Sequence, residues 1–279
     1  MKEEVITLNQ SSVIGIISYS ASLTNLPVVV FINAGLIHRV GPNRIYVKLA
    51  RQLAARGHHV FRFDYNGRGD SLLNSDQQGD TDIPIVLNYL EKKLKRKEFI
   101  LAGMCSGAEA SYHSATADGR VKGIIMINGT GLSSSDYLTL HTRAVNLIQM
   151  RYYKDALLRP AKWLEVLKSN GPLLAKKVRS FHQVFKKNLK ETKTVPIPIN
   201  HPFTLFSTLQ IEALIILTEG STAYDMIKQL NPKVNGNKVS YSYRFLKGVD
   251  HNISTLLAQE ELTKVITHWL SNKFKNDHA

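Results

Sequence analysis

The chain has 279 residues, 43% of them hydrophobic and 21% charged, enough to enclose a core in one large domain or in one domain with an insertion. Its one cysteine, Cys105, excludes an internal disulfide; the charged start Met1-Lys2-Glu3-Glu4 lacks a signal-like apolar stretch, and the longest apolar run, residues 27–32, is too short to span a bilayer, so a cytoplasmic protein is expected. The formal charge of +14 leaves anionic partners open, but no nucleic-acid recognition motif accompanies it and no nucleic-acid partner is expected.

Residues 5–8 and 13–19 read as two short strands joined by a polar turn, an N-terminal hairpin. Residues 27–32 are continuously apolar, as a strand covered on both faces should be. A loop from Asn33 to Pro42 follows, then Asn43 as the expected cap of a helix over 44–56, with Ile45, Leu49 and Leu53 at helical spacing and Gly57 as its stop. Residues 59–64 form the next strand and 83–94 an amphipathic helix. After 99–102 and its turn come a helix and a buried strand over 121–128. This alternation of strands and helices predicts a doubly wound, mostly parallel α/β sheet.

The alternation stops between about 131 and 210, where helices are expected at 145–153, 161–168 and 173–187. Within 143–193 lie thirteen Lys and Arg against three Asp and Glu, most of the excess positive charge. That stretch is either a solvated helical face or a surface for an anionic substrate or a membrane. Sheet rhythm resumes at 213–218, with a helix from Tyr224, a strand at 239–245 and a last helix over 254–272. No metal-ligand spacing or cofactor motif occurs along the way, so neither a metal nor a cofactor is expected.

The chemistry centres on residues 99–108. An apolar run stops at Gly103-Met104-Cys105-Ser106-Gly107 and a helix-forming stretch follows at once. This is the strand, tight turn and helix of a nucleophile elbow, in which a strained turn lifts one side chain clear of the sheet. Glycines two positions either side of the apex avoid collisions of a Cβ with neighbouring backbone. The helix N-terminus favours a thiolate at the apex and an oxyanion beside it. Making Ser106 the apex would require glycines at 104 and 108, where the chain has Met104 and Ala108, so Cys105 is the expected nucleophile.

With these residues the sequence resembles the α/β-hydrolase superfamily, with cysteine in place of the usual serine. Asn33-Ala34-Gly35 sits where these hydrolases place His-Gly and the second oxyanion donor, and Asp64-x-x-Gly67-x-Gly69-x-Ser71 is similar to their D-x-x-G-x-G-x-S loop. Asp118-Gly119-Arg120-Val121-Lys122-Gly123 resembles the segment leading into their next strand. In detail, Ala34-Gly35 with His38-Arg39-Val40-Gly41-Pro42 and Cys105-Ser106-Gly107-Ala108 look most like a bacterial subgroup, the serine-aminopeptidase-like hydrolases often found near polysaccharide-export or exosortase-associated genes. The resemblance implies one domain with core segments 1–130 and 211–279 and a helical lid inserted at 131–210.

It also implies the family order of nucleophile, acid and histidine. His251, in Gly248-Val249-Asp250-His251-Asn252 after the last strand, is the expected general base and acid. Asp250 is expected to organise that loop, since adjacent residues rarely present side chains to one another. Ser221 stands where the family has its aspartate; Glu219, at the strand end, is the first alternative and Asp225 the second, and a thiol nucleophile can also work with no acid. The oxyanion donors implied are the Ser106 amide and that of Gly35 or Leu36, with Arg39 a candidate clamp for an anionic substrate group or a salt bridge holding its loop.

The expected activity is attack by Cys105 on an ester, thioester or lactone carbonyl of a small-molecule, acyl or glycan-linked substrate. Resolution of the acyl-enzyme by water gives a hydrolase, and by an alcohol or amine an acyltransferase. A catalytically silent hydrolase fold used for binding is the alternative from another class, with peripheral membrane contact through the basic stretch.

Overall fold

The computed structural model describes residues 2–10, 12–22, 24–75, 82–132, 134–157, 202–229 and 241–275. Among them eight strands form one sheet: β1 (Glu3–Leu8), β2 (Val13–Ser18), β3 (Val28–Ile32), β4 (Val60–Asp64), β5 (Phe99–Met104), β6 (Val121–Ile127), β7 (Glu212–Thr218) and β8 (Ser242–Leu246). Their order is β1-β2-β4-β3-β5-β6-β7-β8. β1 and β2 are an antiparallel hairpin with Leu8 opposite Val13, and β2 runs antiparallel to β4. From β4 to β8 all neighbours are parallel.

Every residue of β3, β4 and β5 is buried, because helices cover both faces of the sheet. Val28, Val30 and Ile32 of β3 pack with Val86 and Leu90 of α2 (Asp82–Leu94) and Tyr112 of α3 (Ser106–Ala117). Their neighbours Val29 and Phe31 point the other way, against Leu49 and Leu53 of α1 (Ile45–Ala55) and against Leu262 and Ile266 of the C-terminal helix. The period-2 alternation of a strand thus serves two cores at once.

β3 lies between β4 and β5, so the chain leaves β3 and β5 in opposite directions across the sheet. Loops leaving the C-terminal ends of strands at such a reversal open a crevice. Both the β3 loop and the elbow are built there.

Ile45, Leu49 and Leu53 face the core as expected, but the helix entry differs. Asn43 is no cap: it lies in a 3-10 turn (Pro42–Arg44) with φ 50°, makes no capping bond, and donates through Nδ2 to the Asn252 carbonyl at 3.1 Å. The residue that precedes α1 is Arg44, left-handed at φ 60° and likewise without a side-chain capping bond. Gly57, with φ 101°, does close α1.

After β6 comes α4 (Ser134–Leu157), which contains the expected 145–153 helix and runs well beyond it. The helices expected at 161–168 and 173–187 lie outside the described residues. α5 (Thr204–Thr208) leads into β7, and α6 (Thr222–Gln229) packs through Met226 against Leu140 and Ala144 of α4. β8 ends one residue later than expected, and α7 (Leu256–Lys273) starts behind Thr255, whose Oγ1 accepts the Ala258 amide at 3.2 Å. Among the described residues no helix is long and apolar enough to cross a membrane.

Candidate active site

β5 runs to Met104 and α3 begins at Ser106, so the turn between them is Cys105 alone. Cys105 has φ 52° and ψ −122°, a conformation that non-glycine residues rarely hold unless their surroundings enforce it. The surroundings do so. Its amide donates to the Ile127 carbonyl of β6 at 2.8 Å, and its carbonyl accepts the amides of Ala108 at 2.9 Å and Glu109 at 3.2 Å, starting the helix. A Cβ on Gly103 would lie 2.2 Å from the Gly107 carbonyl oxygen, and one on Gly107 would lie 2.4 Å from that of Ile32. Both motif glycines are therefore demanded by backbone approach.

Beneath the elbow, the fully buried Tyr46 donates its hydroxyl to the Ile32 carbonyl at 3.1 Å. Burial raises its phenol pKa, an effect the Met104 amide opposes and Cys105 adds to. Cys105 itself is half-buried and free. Tyr137 of α4 lies within electrostatic reach of it: burial first, then Cys105, raises the Tyr137 pKa.

The β3 loop meets the elbow directly. The Gly35 amide donates to Ser106 Oγ at 2.9 Å, and the Gly35 carbonyl accepts Arg68 Nη1. The Ser106 and Leu36 amides have no acceptor among the described residues. Ser106 opens α3, where first-turn amides lack an intrahelical partner.

Arg39 is committed within the protein. Its guanidinium pairs with Asp64, which is fully buried, and with Asp70 at 2.7 Å, tying the β3 loop to the β4 loop. His38 Nε2 lies 3.4 Å from Asp64 and 3.3 Å from Asp70. These three residues could offer ligand atoms to a metal, but Arg39 Nη1 sits 2.9 Å from His38 Nε2 and already supplies the cation.

His251 is half-buried in the loop after β8. Its carbonyl accepts Asn128 Nδ2 at 3.2 Å, and Gly220, just after β7, packs closely on the loop, since a Cβ there would lie 3.1 Å from the Asp250 Cα and the His251 backbone nitrogen. Burial lowers the His251 pKa, with Asp250 opposing the shift. Asp250 itself binds the Ser254 amide and hydroxyl, each at 2.9 Å, and the Asn252 amide at 3.2 Å, bonds that hold its own pKa low.

The three acid positions diverge. Glu219 accepts the Gly248 amide at 2.7 Å. Ser221 Oγ accepts the Ala223 amide at 3.2 Å at the start of α6. Asp225 is buried in the first turn of α6, and no hydrogen bond joins it to His251. Among the described residues, no carboxylate is hydrogen-bonded to the His251 imidazole.

Asn128 escaped the sequence reading. Its backbone has φ 55°, its Oδ1 accepts the Thr218 amide at 2.9 Å, and its Nδ2 holds the His251 carbonyl, so one residue joins β6, β7 and the histidine loop. A polar residue closing an apolar strand was the available signal.

Comparison with protein-family models gives no match, and comparison with curated protein sequences gives none either. Solved structures do match over nearly the whole chain. An α/β serine hydrolase homologue from Coxiella burnetii has 12% identity and a TM-score of 0.57, covering 96% of both chains. A Xanthomonas campestris α/β serine hydrolase described as having no lid has 13% identity and a TM-score of 0.55, covering 98% of this chain and 96% of its own. The thioesterase domain from the curacin biosynthetic pathway has 15% identity and a TM-score of 0.52, covering 96% and 99%. Strand order, elbow and these likenesses agree: the chain has the α/β-hydrolase fold.

Proposed function

We propose that this protein is a cysteine-nucleophile acyl-transfer enzyme of the α/β-hydrolase fold, acting on an ester, thioester or lactone carbonyl. The observation that carries the reading is Cys105 held at φ 52° and ψ −122° on a turn whose flanking glycines cannot accept a Cβ. Such strain is maintained where a side chain must be presented. The bacterial subgroup named above and its cytoplasmic setting belong to this reading.

His251 takes the Cys105 proton as the sulfur attacks the carbonyl carbon. The oxyanion forms beside the α3 N-terminus, where the Ser106 amide is available. Collapse breaks the bond to the leaving alcohol or thiol, which receives the proton from His251. Water, deprotonated by the neutral imidazole, then attacks the acyl-cysteine carbonyl; the carbon–sulfur bond breaks, the carboxylic acid leaves, and His251 returns its proton to the sulfur. An alcohol or amine in place of water makes the same intermediate an acyl transfer. With no carboxylate hydrogen-bonded to His251 among the described residues, Cys105 and His251 would work as a dyad, which a thiol tolerates better than a hydroxyl. The basic stretch at 143–193 would draw in anionic substrates or an anionic membrane surface.

One observation favours the silent-fold alternative, the same missing carboxylate on His251. Intact-protein mass spectrometry after exposure to an activated ester separates the two. A covalent adduct on wild type that is lost in Cys105→Ala and slowed in His251→Ala is the expected result; labelling no faster than that of a free thiol would favour a binding protein.

A further inference from the structure

The Ser106 hydroxyl joins the elbow to the β3 loop. Its Oγ accepts the Gly35 amide at 2.9 Å, across 71 positions of sequence. The Gly35 carbonyl is held at the same time by Arg68, whose guanidinium lies over the Tyr65 ring, 5.4 Å from its centroid. Gly35 itself is in the left-handed region at φ +51°, with nothing within 4 Å of where a Cβ would be. Both polar groups of this residue are therefore fixed, and its one amide hydrogen is directed at a side-chain oxygen.

A hydroxyl that accepts one hydrogen bond keeps its own proton to donate. Among the described residues no acceptor takes the Ser106 proton, and Ser106 is exposed beside the half-buried Cys105. The Ser106 amide, on the same residue, is also without an acceptor among them.

We propose that the Ser106 side-chain hydroxyl is a further catalytic residue, the second oxyanion donor, with the Gly35 amide behind it as support. This rests on Cys105 being the nucleophile. One oxygen can lie within reach of both the amide and the hydroxyl of a single residue, so the oxyanion formed on the attacked carbonyl accepts from Ser106 N–H and Ser106 Oγ–H together. The Gly35 N–H stays on Oγ throughout, and the observed loop contact needs no rearrangement. A chain of donors polarises along its length, and a charged acceptor binds more strongly than a neutral one. The hydroxyl therefore contributes more to the oxyanion than to the ground-state carbonyl, which is the kind of interaction that raises kcat.

The test uses wild type, Cys105→Ala, Ser106→Ala and Ser106→Thr with two probes. Turnover of 4-nitrophenyl butyrate passes through an oxyanion. Alkylation by iodoacetamide displaces iodide at a saturated carbon and forms none, so its rate reports only the thiol and the elbow. Ser106→Ala should alkylate within about twofold of wild type, yet lose about a hundredfold in kcat with KM little changed. Ser106→Thr, which keeps the hydroxyl, should recover most of that loss. A Ser106→Ala variant with wild-type kcat overturns the proposal, as does one in which only KM rises, because the hydroxyl would then merely prop the loop. Alkylation and turnover falling together, unrelieved in Ser106→Thr, would assign the hydroxyl to the elbow's structure and overturn it too. Turnover that survives Cys105→Ala removes the nucleophile assignment beneath it, and that result is visible without any variant at 106.

Discussion

The Glu219 carboxylate accepts the Gly248 amide at 2.7 Å, which fixes the start of the histidine loop and leaves the His251 imidazole without that acid. The charge that reaches His251 is that of Asp250, which raises its pKa while burial, the larger effect, lowers it.

The pH profile should therefore separate the two carboxylates. A lowered pKa keeps the imidazole neutral, and able to accept a proton, to lower pH. The acid limb of kcat/KM should fall below the ordinary histidine value of about 6.5. Asp250→Asn removes a raising charge but keeps an acceptor for Ser254, and should move the limb lower still. Glu219→Gln should leave the limb where it is. A limb that moves with Glu219 and not with Asp250 would restore Glu219 as the working acid.

Gly103→Ala tests whether the elbow is set by backbone contact. Its Cβ would lie 2.2 Å from the Gly107 carbonyl oxygen, a backbone atom with no side chain to yield. Urea unfolding should show a loss of about 3 kcal/mol or more, at or above the upper range of overpacking. Gly119→Ala, where nothing lies within 4 Å of the added Cβ, is the control and should unfold near the wild-type midpoint.

Removing the Arg39 side chain costs a buried carboxylate its guanidinium. Asp64 is fully buried, and Arg39→Ala takes away its guanidinium partner while leaving the carboxylate inside with His38 and the amides of residues 39 and 70 against it. A loss of about 3–5 kcal/mol is expected in chemical unfolding. Asp70→Asn changes a partner on the exposed side of the same cluster and should shift the midpoint little. If Arg39→Ala instead kept its stability and raised KM for anionic esters alone, the guanidinium would be serving the substrate.

Acid should destabilise the fold before its carboxylates titrate. Burial is the largest cause lowering the pKa of His58, His59 and His251. The unfolded chain binds these protons near pH 6.5 and the folded chain resists them, so protonation favours unfolding. Stability should be level above that pH and decline below it. His58, donating from Nδ1 to the Pro27 carbonyl at 2.9 Å, is the most buried of the three. His58→Asn should give a shallower decline in thermal midpoint between pH 7 and 5, whatever its absolute stability.

The sequence by itself determined the sheet and the apex of the site. Runs such as 28–32 and 99–104 are apolar at every position because both faces of the sheet are covered, and that is visible without coordinates. Gly103 and Gly107 mark the elbow as a sequence motif; the constraint on Gly103 is local, the Gly107 carbonyl, whereas that on Gly107 comes from the Ile32 carbonyl of β3. Only the tertiary structure decided where the polar groups of the loops go. Gly35 reaches Ser106 across 71 positions, and Asn128 reaches the His251 carbonyl across 123. Glu219, placed at a strand end by its sequence, turned to the Gly248 amide and not to the histidine. A hydrogen bond is decided over a few tenths of an ångström and a few tens of degrees. Such distances between loops follow from how β3, β5, β6, β7 and β8 are ordered in the sheet, which no local run of residues records.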